Sequence, residues 1–501
     1  MSNLNLPDLA PAELVSRTSH VVPGQLHITE LFFRVPLDHH NPSSRPRITL
    51  FGRLVRKNER PVDPSKPSPT NLPYLVYLEG GPGFGNRQPQ HHPLTSAALA
   101  RGYQVLYLDY RGTGLSTPVD VYTIAPERLP AEIAPGEEDA VRVATYLSLF
   151  RADSIVHDLE AVRLYLTQYA ENKKWSLLGQ SFGGFVATTY LSYYPSSLAE
   201  VFITGGLPPI KRTAHEVYTR TFATLRKRNE AYYKKFPEDV KRVRRIASFI
   251  HNSDPTTHSI PLPAGGRLTV PGFLALGIAF GTHGGLDEVH NTVLRMDTDL
   301  EIFGFLTRGT LAAVEAGIAW EGHPIYALLH ECIYFANPPT RRAEVGEEEV
   351  PEPGWAAYQV GALDPHFSWL RGDEAISSLL SSPETPLYFS GEMIFPIHIS
   401  SSPSLSPFLG AANLLSNPRS PIFSSAFPLY DPGQLSNNRV PVYALSYIED
   451  MYVDISFARE TASMIKGIKV LETNGFYHDA VRSRAEEVLG LLWRLRDDEV
   501  D

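Results

Sequence analysis

The chain has 501 residues, of which 43% are hydrophobic and 20% are charged, and its formal net charge is −10 at pH 7. This length exceeds one ordinary core, and the composition is that of a soluble globular enzyme. The acidic balance argues against a nucleic-acid partner, and no run approaches the ~18 apolar residues of a membrane span. We therefore expect one large catalytic domain with a substantial insertion, and neither a nucleic-acid nor a membrane partner.

Cys332 is the single cysteine, which excludes an intrachain disulfide and fits a reducing compartment or simply a large core. Its apolar neighbours predict an inert core thiol. The first 14 residues contain no basic segment followed by an apolar one, so we expect no secretory signal. Together these features predict a cytoplasmic protein.

Strand patterns come first along the chain. Residues 27–35 and 47–55 are predicted to form an N-terminal hairpin. Short apolar runs followed by Gly-rich turns or polar loops then occur at residues 74–78, 105–108, 175–178 and 201–203. Helical patterns lie between them at residues 140–150 and 154–170. Buried strands that alternate with helices indicate an α/β fold, with a mostly parallel sheet covered by helices on both faces.

The pattern changes after residue 209. Helices joined by polar loops are predicted from about residue 213 to residue 375, with examples at residues 217–233, 239–251 and 286–296. Strands are predicted to return at residues 386–390, 440–447 and 468–472. We interpret this order as an α/β core in two parts, residues 1–210 and 381–501, which is interrupted by a mainly helical cap at residues 211–380.

Ser181 stands in a Gly-x-Ser-x-Gly motif between an apolar run and a helical stretch. This context is typical of a nucleophile elbow, a tight strand-to-helix turn that lifts a serine hydroxyl above the sheet. The helix that follows points its N-terminus at the site and favours developing negative charge there. Ser181 is therefore the predicted nucleophile.

A serine nucleophile needs a histidine base, and the base needs an acid to hold its tautomer. In the fold class built on such an elbow, these residues follow in the order serine, acid, histidine. Asp450 follows the predicted strand at residues 440–447, and His478 follows the one at 468–472, so both fall at carboxyl ends of strands. Glu449 and Asp454 compete with Asp450 for the acid position.

The reaction also needs N–H donors where the oxyanion forms. The N–H of Phe182, directly after the nucleophile, is one candidate. Gly81 is the other, in the glycine-rich loop after the strand at residues 74–78. Asp109 and Arg111 follow another strand and are predicted to brace loops beneath the site, since an arginine–carboxylate pair can hold a loop by bidentate geometry.

The motifs together resemble the proline iminopeptidases (prolyl aminopeptidases) of the α/β-hydrolase superfamily. The matching segments are GGPGF at residues 80–84, DYRGTGLS at 109–116, GQSFGG at 179–184, TGGLPP at 204–209, DMYV at 450–453 and GFYHD at 475–479. The resemblance implies an α/β-hydrolase fold with a helical cap. It also implies release of N-terminal proline, or a similar small residue, from peptides without a metal or cofactor.

By resemblance, acidic residues of the cap bind the free amino group of the substrate, and Glu331 and Glu392 match those positions. A carboxylate beside a cationic imino nitrogen would form a charge-assisted hydrogen bond and select for a free N-terminus. One departure is Glu79, which stands where many members have a histidine.

Two alternatives stay open at this point. The same triad could act on a non-peptide ester, lactone or amide in small-molecule metabolism, because the cap is where such enzymes diverge. A catalytically inactive fold used as a binding module is the third class, and the intact triad order argues against it. The sequence leaves the choice of a peptide or small-molecule substrate and the formation of a homo-oligomer undecided.

Overall fold

In a computed structural model of the protein, the structure describes residue 4 and residues 6–43, 46–58, 71–318, 320–336, 354–382, 385–424 and 426–499. Within these residues, nine strands form one large sheet, and two short strands form a separate hairpin. In chain order the strands are β1 Glu13–Val22, β2 Leu26–Pro36, β3 Arg47–Lys57, β4 Tyr74–Leu78, β5 Gln104–Asp109, β6 Trp175–Gln180, β7 Leu198–Thr204, β8 Ile260–Pro261, β9 Arg267–Leu268, β10 Val442–Tyr447 and β11 Ile468–Thr473.

The strand order in the large sheet is β1-β2-β3-β5-β4-β6-β7-β10-β11. Strands β1, β2 and β3 pair antiparallel, and β3 joins β5 antiparallel with Phe51 opposite Asp109. From β5 to β11 every pairing is parallel. Because β4 lies between β5 and β6, the loops that follow β4 and β6 leave the same edge side by side, which is where open α/β sheets bind ligands.

Helices surround the sheet and form most of the insertion. In chain order they are α1 Leu94–Ala100, α2 Asp139–Ser148, α3 Ala152–Leu166, α4 Phe182–Tyr193, α5 Ala214–Lys235, α6 Asp239–Asn252, α7 Val270–Leu274, α8 Gly285–Phe303, α9 Arg308–Ile318, α10 Pro324–Leu329, α11 Ala356–Leu363, α12 Asp373–Leu380, α13 Pro396–Ser400, α14 Leu409–Leu415, α15 Pro432–Ser436, α16 Ile455–Met464, α17 Ala480–Ser483 and α18 Ala485–Arg496. Short 3₁₀ turns connect several of them, the longest being Ala275–Gly281 and Pro365–Arg371.

Both faces of the sheet are covered, as the continuous apolar runs predict. Leu75 and Tyr77 of β4 point into one hydrophobic cluster, which includes residues of α1 and α18. Val76 and Leu78 point into the other cluster, which includes residues of α3 and α4. Alternate residues of one strand thus serve opposite faces, and the mostly parallel α/β sheet predicted from the sequence is confirmed.

The structure departs from the predicted strand pattern after residue 385. The strand predicted at residues 386–390 is wrong, because this segment is buried irregular chain. Between Thr204 and Val442 the described residues add no strand to the large sheet, and helices α13, α14 and α15 fill the stretch after residue 390. The division into core residues 1–210 and 381–501 and cap residues 211–380 stays a prediction. Within the described ranges, no helix is long and apolar enough to cross a membrane.

Candidate active site

Ser181 lies in the turn between β6 and α4, where its backbone has a φ of 54° and a ψ of −124°. A positive φ is uncommon for a residue with a Cβ, and such strain is concentrated at functional sites. The turn is fixed by the N–H of Ser181, which donates to the carbonyl oxygen of Thr204 at 3.1 Å. The strand–turn–helix geometry of a nucleophile elbow is therefore present at the carboxyl end of β6.

Glycines let the elbow pack against neighbouring backbone. A Cβ on Gly183 would lie 2.0 Å from the carbonyl oxygen of Leu78, and one on Gly184 would lie 2.3 Å from that of Gly206. Any side chain at either position would push α4 away from the ends of its neighbouring strands. The motif thus sets how close the nucleophile stands to the loop after β4.

The structure brings Ser181, His478 and Asp450 together. The Oγ of Ser181 lies 2.8 Å from Nε2 of His478, and Nδ1 of His478 lies 2.7 Å from Oδ2 of Asp450. The other oxygen of Asp450 accepts the N–H groups of Tyr452 at 2.8 Å and Val453 at 3.1 Å, which holds the carboxylate in place. A carboxylate at Nδ1 keeps the proton there and leaves Nε2 free to accept the serine proton.

The competing acids lie elsewhere. Glu449 is exposed. The Oδ1 of Asp454 accepts the N–H of Ser456 at 2.9 Å and so caps helix α16. Asp450, which is only 5% exposed, is thus the acidic residue of this stretch that reaches His478.

Two contacts fix the His478 ring and its loop against the insertion. The ring of Tyr452 packs on that of His478 with centroids 4.5 Å apart, and the Tyr452 hydroxyl donates to the carbonyl oxygen of Ile278. The N–H of His478 donates to the carbonyl oxygen of Gly281 at 3.2 Å. Sequence reasoning gave Tyr452 no role, although it lies within the DMYV segment.

The predicted oxyanion donors, Gly81 and Phe182, lie on adjoining segments. Phe182 begins helix α4, and a Cβ on Gly80 would lie 3.2 Å from the Cβ of Ser181, so the loop after β4 touches the elbow. Across the described residues, no hydrogen bond uses the N–H of Gly81 or of Phe182. Both groups therefore remain able to donate to an oxygen bound beside Ser181.

Glu79 is buried beside this loop and forms an ion pair with the partly exposed Arg482. It is 3% exposed, and its Oε1 accepts the N–H of Gly80 at 2.8 Å and Nη2 of Arg482 at 2.5 Å. Burial by itself would lower the pKa of Arg482, but the Glu79 carboxylate and Tyr77 raise it above the usual value. Arg482 had no signal in the sequence, because its partner lies 403 residues away.

Glu392 is a buried carboxylate on the segment that follows α12. Its Oε1 accepts the hydroxyl of Tyr334 at 3.1 Å, and its Oε2 lies 3.6 Å from Nε2 of His330. Burial raises the pKa of Tyr334, and the carboxylates of Glu392 and Asp450 raise it further. A Cβ on Gly391, the residue before Glu392, would lie 3.5 Å from Cε of Met451, which follows Asp450, so this segment lies beside the acid of the triad.

Glu331 is placed differently. Its Oε1 accepts the N–H of Ala356, the first residue of α11, at 2.8 Å. Burial raises the pKa of Tyr218, and the charges of Glu331 and Glu392 both contribute to that rise. The Tyr218 hydroxyl lies 3.3 Å from Nδ1 of His330, the residue before Glu331, and Nε2 of the same ring faces Glu392. One carboxylate oxygen of Glu331 is engaged by the N-terminus of α11.

The bracing role predicted for Asp109 and Arg111 is confirmed. Asp109 accepts the N–H groups of Asn86 at 2.7 Å and Leu115 at 2.9 Å, and so ties two loops together. The guanidinium of Arg111 forms two hydrogen bonds of 2.7 Å to Asp158. Both side chains act beneath the site and not on the reacting groups.

Cys332 is buried, as predicted, and its thiol donates to the carbonyl oxygen of Leu415 at 3.0 Å. Burial raises the pKa of this thiol, so it does not form a thiolate near neutral pH. In the part of the chain that the structure describes, no group of three or more His, Cys, Asp or Glu side chains could hold a metal ion.

Comparison with known proteins identifies the family to which the chain belongs. A family model described as "alpha/beta hydrolase fold" matches residues 73–262. The proline iminopeptidase AneH of Aspergillus aculeatus is 37% identical over 497 residues, which cover 99% of this chain and 99% of that protein. A proline iminopeptidase of Aeromonas sobria is 36% identical over 484 residues, covering 97% of this chain and 100% of that protein.

These matches extend over nearly the whole chain and include both parts of the sheet and the insertion between them. They confirm the resemblance that the six motifs predict, and the family model confirms the fold. The chain belongs to the proline iminopeptidases, a family of the α/β-hydrolase superfamily.

Proposed function

We propose that this protein is a serine aminopeptidase that releases N-terminal proline, or a similar small residue, from peptides. One observation carries the proposal: in a chain of this family, Ser181, His478 and Asp450 form a continuous hydrogen-bonded series at the carboxyl ends of the sheet strands. The names of both full-length relatives describe the same activity.

In the acylation step, Ser181 attacks the carbonyl carbon of the N-terminal residue. His478 removes the hydroxyl proton through Nε2, which already lies 2.8 Å from Oγ. It then returns that proton to the departing amine of the next residue. Asp450 holds the imidazole in the correct tautomer and stabilises the imidazolium that forms between the two transfers.

Negative charge develops on the carbonyl oxygen as Ser181 attacks. The N–H groups of Gly81 and Phe182 are the proposed donors to this oxygen, and the N-terminus of α4 adds a favourable field. Water then attacks the acyl-enzyme with His478 as the base. Hydrolysis releases free proline and restores the Ser181 hydroxyl.

Glu392 is the better supported of the two proposed amine-binding residues. It is 8% exposed, and its partners are the neutral hydroxyl of Tyr334 and the ring of His330. A buried carboxylate of this kind gains a charge-assisted hydrogen bond from a cationic imino group, which a blocked N-terminus cannot supply. Glu331 is proposed to be the second carboxylate that binds the amino group of the substrate.

The decisive assay uses four substrates with purified protein: proline anilide, alanine anilide, N-acetylproline anilide and an acyl ester without an amine. We expect cleavage of the proline anilide, weaker cleavage of the alanine anilide and none of the acetylated one. Ser181→Ala should abolish turnover, and Ser463→Ala, which changes an exposed serine on α16, should not. Serine-dependent ester cleavage with an inert proline anilide would instead favour a metabolite hydrolase.

We also propose a cytoplasmic location, because a chain with one cysteine needs no oxidising compartment. The sequence leaves the formation of a homo-oligomer undecided, and light scattering of the purified protein would test it.

A further inference from the structure

Arg482 joins three loops of the site without touching the triad side chains. It lies in α17, just after the loop that carries His478. Its Nη2 donates to Oε1 of Glu79 at 2.5 Å and to Oε1 of Gln180 at 3.1 Å. Gln180 directly precedes Ser181, and Glu79 directly precedes the loop that supplies Gly81. One guanidinium therefore connects the segments that hold the base, the nucleophile and an oxyanion donor.

The contacts continue past the guanidinium. The side-chain amide of Gln180 donates to the carbonyl oxygen of His478 at 3.4 Å. A Cβ on Gly80 would lie 2.4 Å from Oε1 of Gln180, so the Gln180 side chain lies across the backbone of Gly80. Glu79 holds the N–H of the same glycine at 2.8 Å. The position of Gly80, and with it the direction of the adjacent Gly81 N–H, thus depends on groups that Arg482 holds.

Arg482 also neutralises the negative charge of Glu79 near the oxyanion donor. A buried carboxylate with no counter-charge is costly, and a negative charge two residues from an oxyanion donor opposes the charge that forms there. Glu79 is 3% exposed, and Arg482 supplies the neutralising charge. His92 lies nearby against Tyr77, and burial together with the charges of Arg482 and Arg87 lowers its pKa to about 3, so it remains neutral.

We propose that Arg482 is a positioning residue for catalysis. Through Glu79 and Gln180 it fixes the relative positions of the segments that carry Gly81, Ser181 and His478. It also neutralises the charge of Glu79 beside the place where the oxyanion forms. The inference rests on the serine-hydrolase part of the proposed function and is independent of the choice of proline as substrate.

The test compares Arg482→Met, Glu79→Gln and the double variant with Arg484→Met. The control removes the same side chain two residues away, where Arg484 is 55% exposed and pairs with Glu487. The primary readout is the rate constant for labelling of Ser181 by a fluorophosphonate, whose adduct places an oxygen in the oxyanion position. Values of kcat and KM for the proline anilide, together with thermal unfolding, complete the set.

We expect Arg482→Met to slow labelling and to lower kcat by about 10- to 100-fold, since misplacement of a supporting group has effects of this size. KM should change by less than about threefold, and Arg484→Met should behave as wild type. The double variant should label faster than Arg482→Met, because it no longer leaves Glu79 charged and unpaired.

A folded Arg482→Met protein that labels and turns over at the wild-type rate would overturn the proposal, as would a loss confined to KM. If Arg482→Met does not fold, the double variant decides: labelling about tenfold slower supports the role, and wild-type labelling refutes it. A wild-type protein that is labelled at Ser181 but leaves the proline anilide intact would refute the substrate assignment alone. A wild-type protein that is not labelled at Ser181 would refute the serine-hydrolase basis.

Discussion

Replacing Asp450 by asparagine tests the acid of the triad without changing its shape. In the Asp450→Asn variant, the amide oxygen can still accept the N–H groups of Tyr452 and Val453, which Oδ1 of Asp450 now accepts. The amide NH₂ group then faces Nδ1 of His478 and forces that nitrogen to accept. The proton moves to Nε2, which can no longer take the proton of Ser181.

The expected loss follows from the geometry. At the 2.7 Å between Nδ1 and Oδ2, opposite unit charges attract by about 6 kcal/mol at an effective dielectric constant of about 20. This attraction is present only while the imidazolium exists, so its loss raises the barrier and leaves ground-state binding alone. Since about 1.4 kcal/mol is worth a factor of ten in rate, kcat should fall by about 10⁴ while KM stays within a fewfold range.

The assay is steady-state turnover of the proline anilide, with Ser181→Ala as the background. Glu449→Gln is the matched control, because it removes one negative charge from the adjacent, exposed residue; its kcat should stay within about twofold of wild type. An Asp450→Asn protein that keeps a tenth of the activity would refute the assignment. An equal loss in Glu449→Gln would show that general charge, and not the hydrogen bond to His478, is responsible.

Three further outcomes are expected. Gly183→Ala, whose Cβ would lie 2.0 Å from a carbonyl oxygen, should lower the free energy of unfolding in urea by about 1–3 kcal/mol. Gly490→Ala, in open space within α18, should raise it by about 0.5–1 kcal/mol, and equal effects would contradict the packing argument. Glu392→Gln should lower kcat/KM for the proline anilide about 10- to 100-fold and leave fluorophosphonate labelling of Ser181 unchanged; equal losses in both would disprove amine binding. Burial and nearby positive charges lower the pKa of His157, so the folded protein holds this ring in its neutral form. The contribution of His157 to the free energy of unfolding is therefore complete above about pH 6.5 and falls as the pH drops below that value. Between pH 7 and pH 5, His157→Phe should therefore lose about 1–2 kcal/mol less stability than wild type, whereas His20→Gln, at an exposed site, should match wild type.

Most of the parallel strands were predictable because they are short, largely buried apolar runs that end at turn or loop residues. The prediction at residues 74–78 coincides with β4, and those at 175–178 and 468–472 fall within β6 and β11. The triad was predictable for a related reason, since its members follow such strands in a fixed order. For these elements, local composition and burial favour the same structure.

The segment at residues 386–390 shows where local pattern fails. Its residues are mostly apolar and aromatic, yet most of the hydrogen bonds of its backbone are with side chains and not with a strand ladder. Phe389 exchanges two hydrogen bonds with the amide of Asn229, at 2.8 and 3.0 Å, and the indole N–H of Trp369 donates to the carbonyl oxygen of Tyr388 at 3.1 Å. These partners lie far away in sequence, so no local sequence pattern could predict these hydrogen bonds.

Strand β1 was missed for the opposite reason. Most of its residues are exposed, and it pairs only with β2 at the edge of the sheet, so it lacks the apolar alternation that identifies a strand. The roles of Arg482 and Gln180 were not predicted, because they consist entirely of contacts between segments that are distant in sequence. Neither residue has a local sequence pattern that distinguishes it from other polar residues, and only the fold brings both close to Glu79.

The separation of the nucleophile from its base sets the order in which the site is made during synthesis. Ser181 and His478 are 297 residues apart along the chain. At about 5–20 residues per second, a ribosome completes the serine turn roughly 15–60 s before it adds the histidine. The last two strands of the sheet and the base arrive together, so the hydroxyl gains its base only after residue 478 has been added. A prematurely terminated product therefore carries the serine without its base.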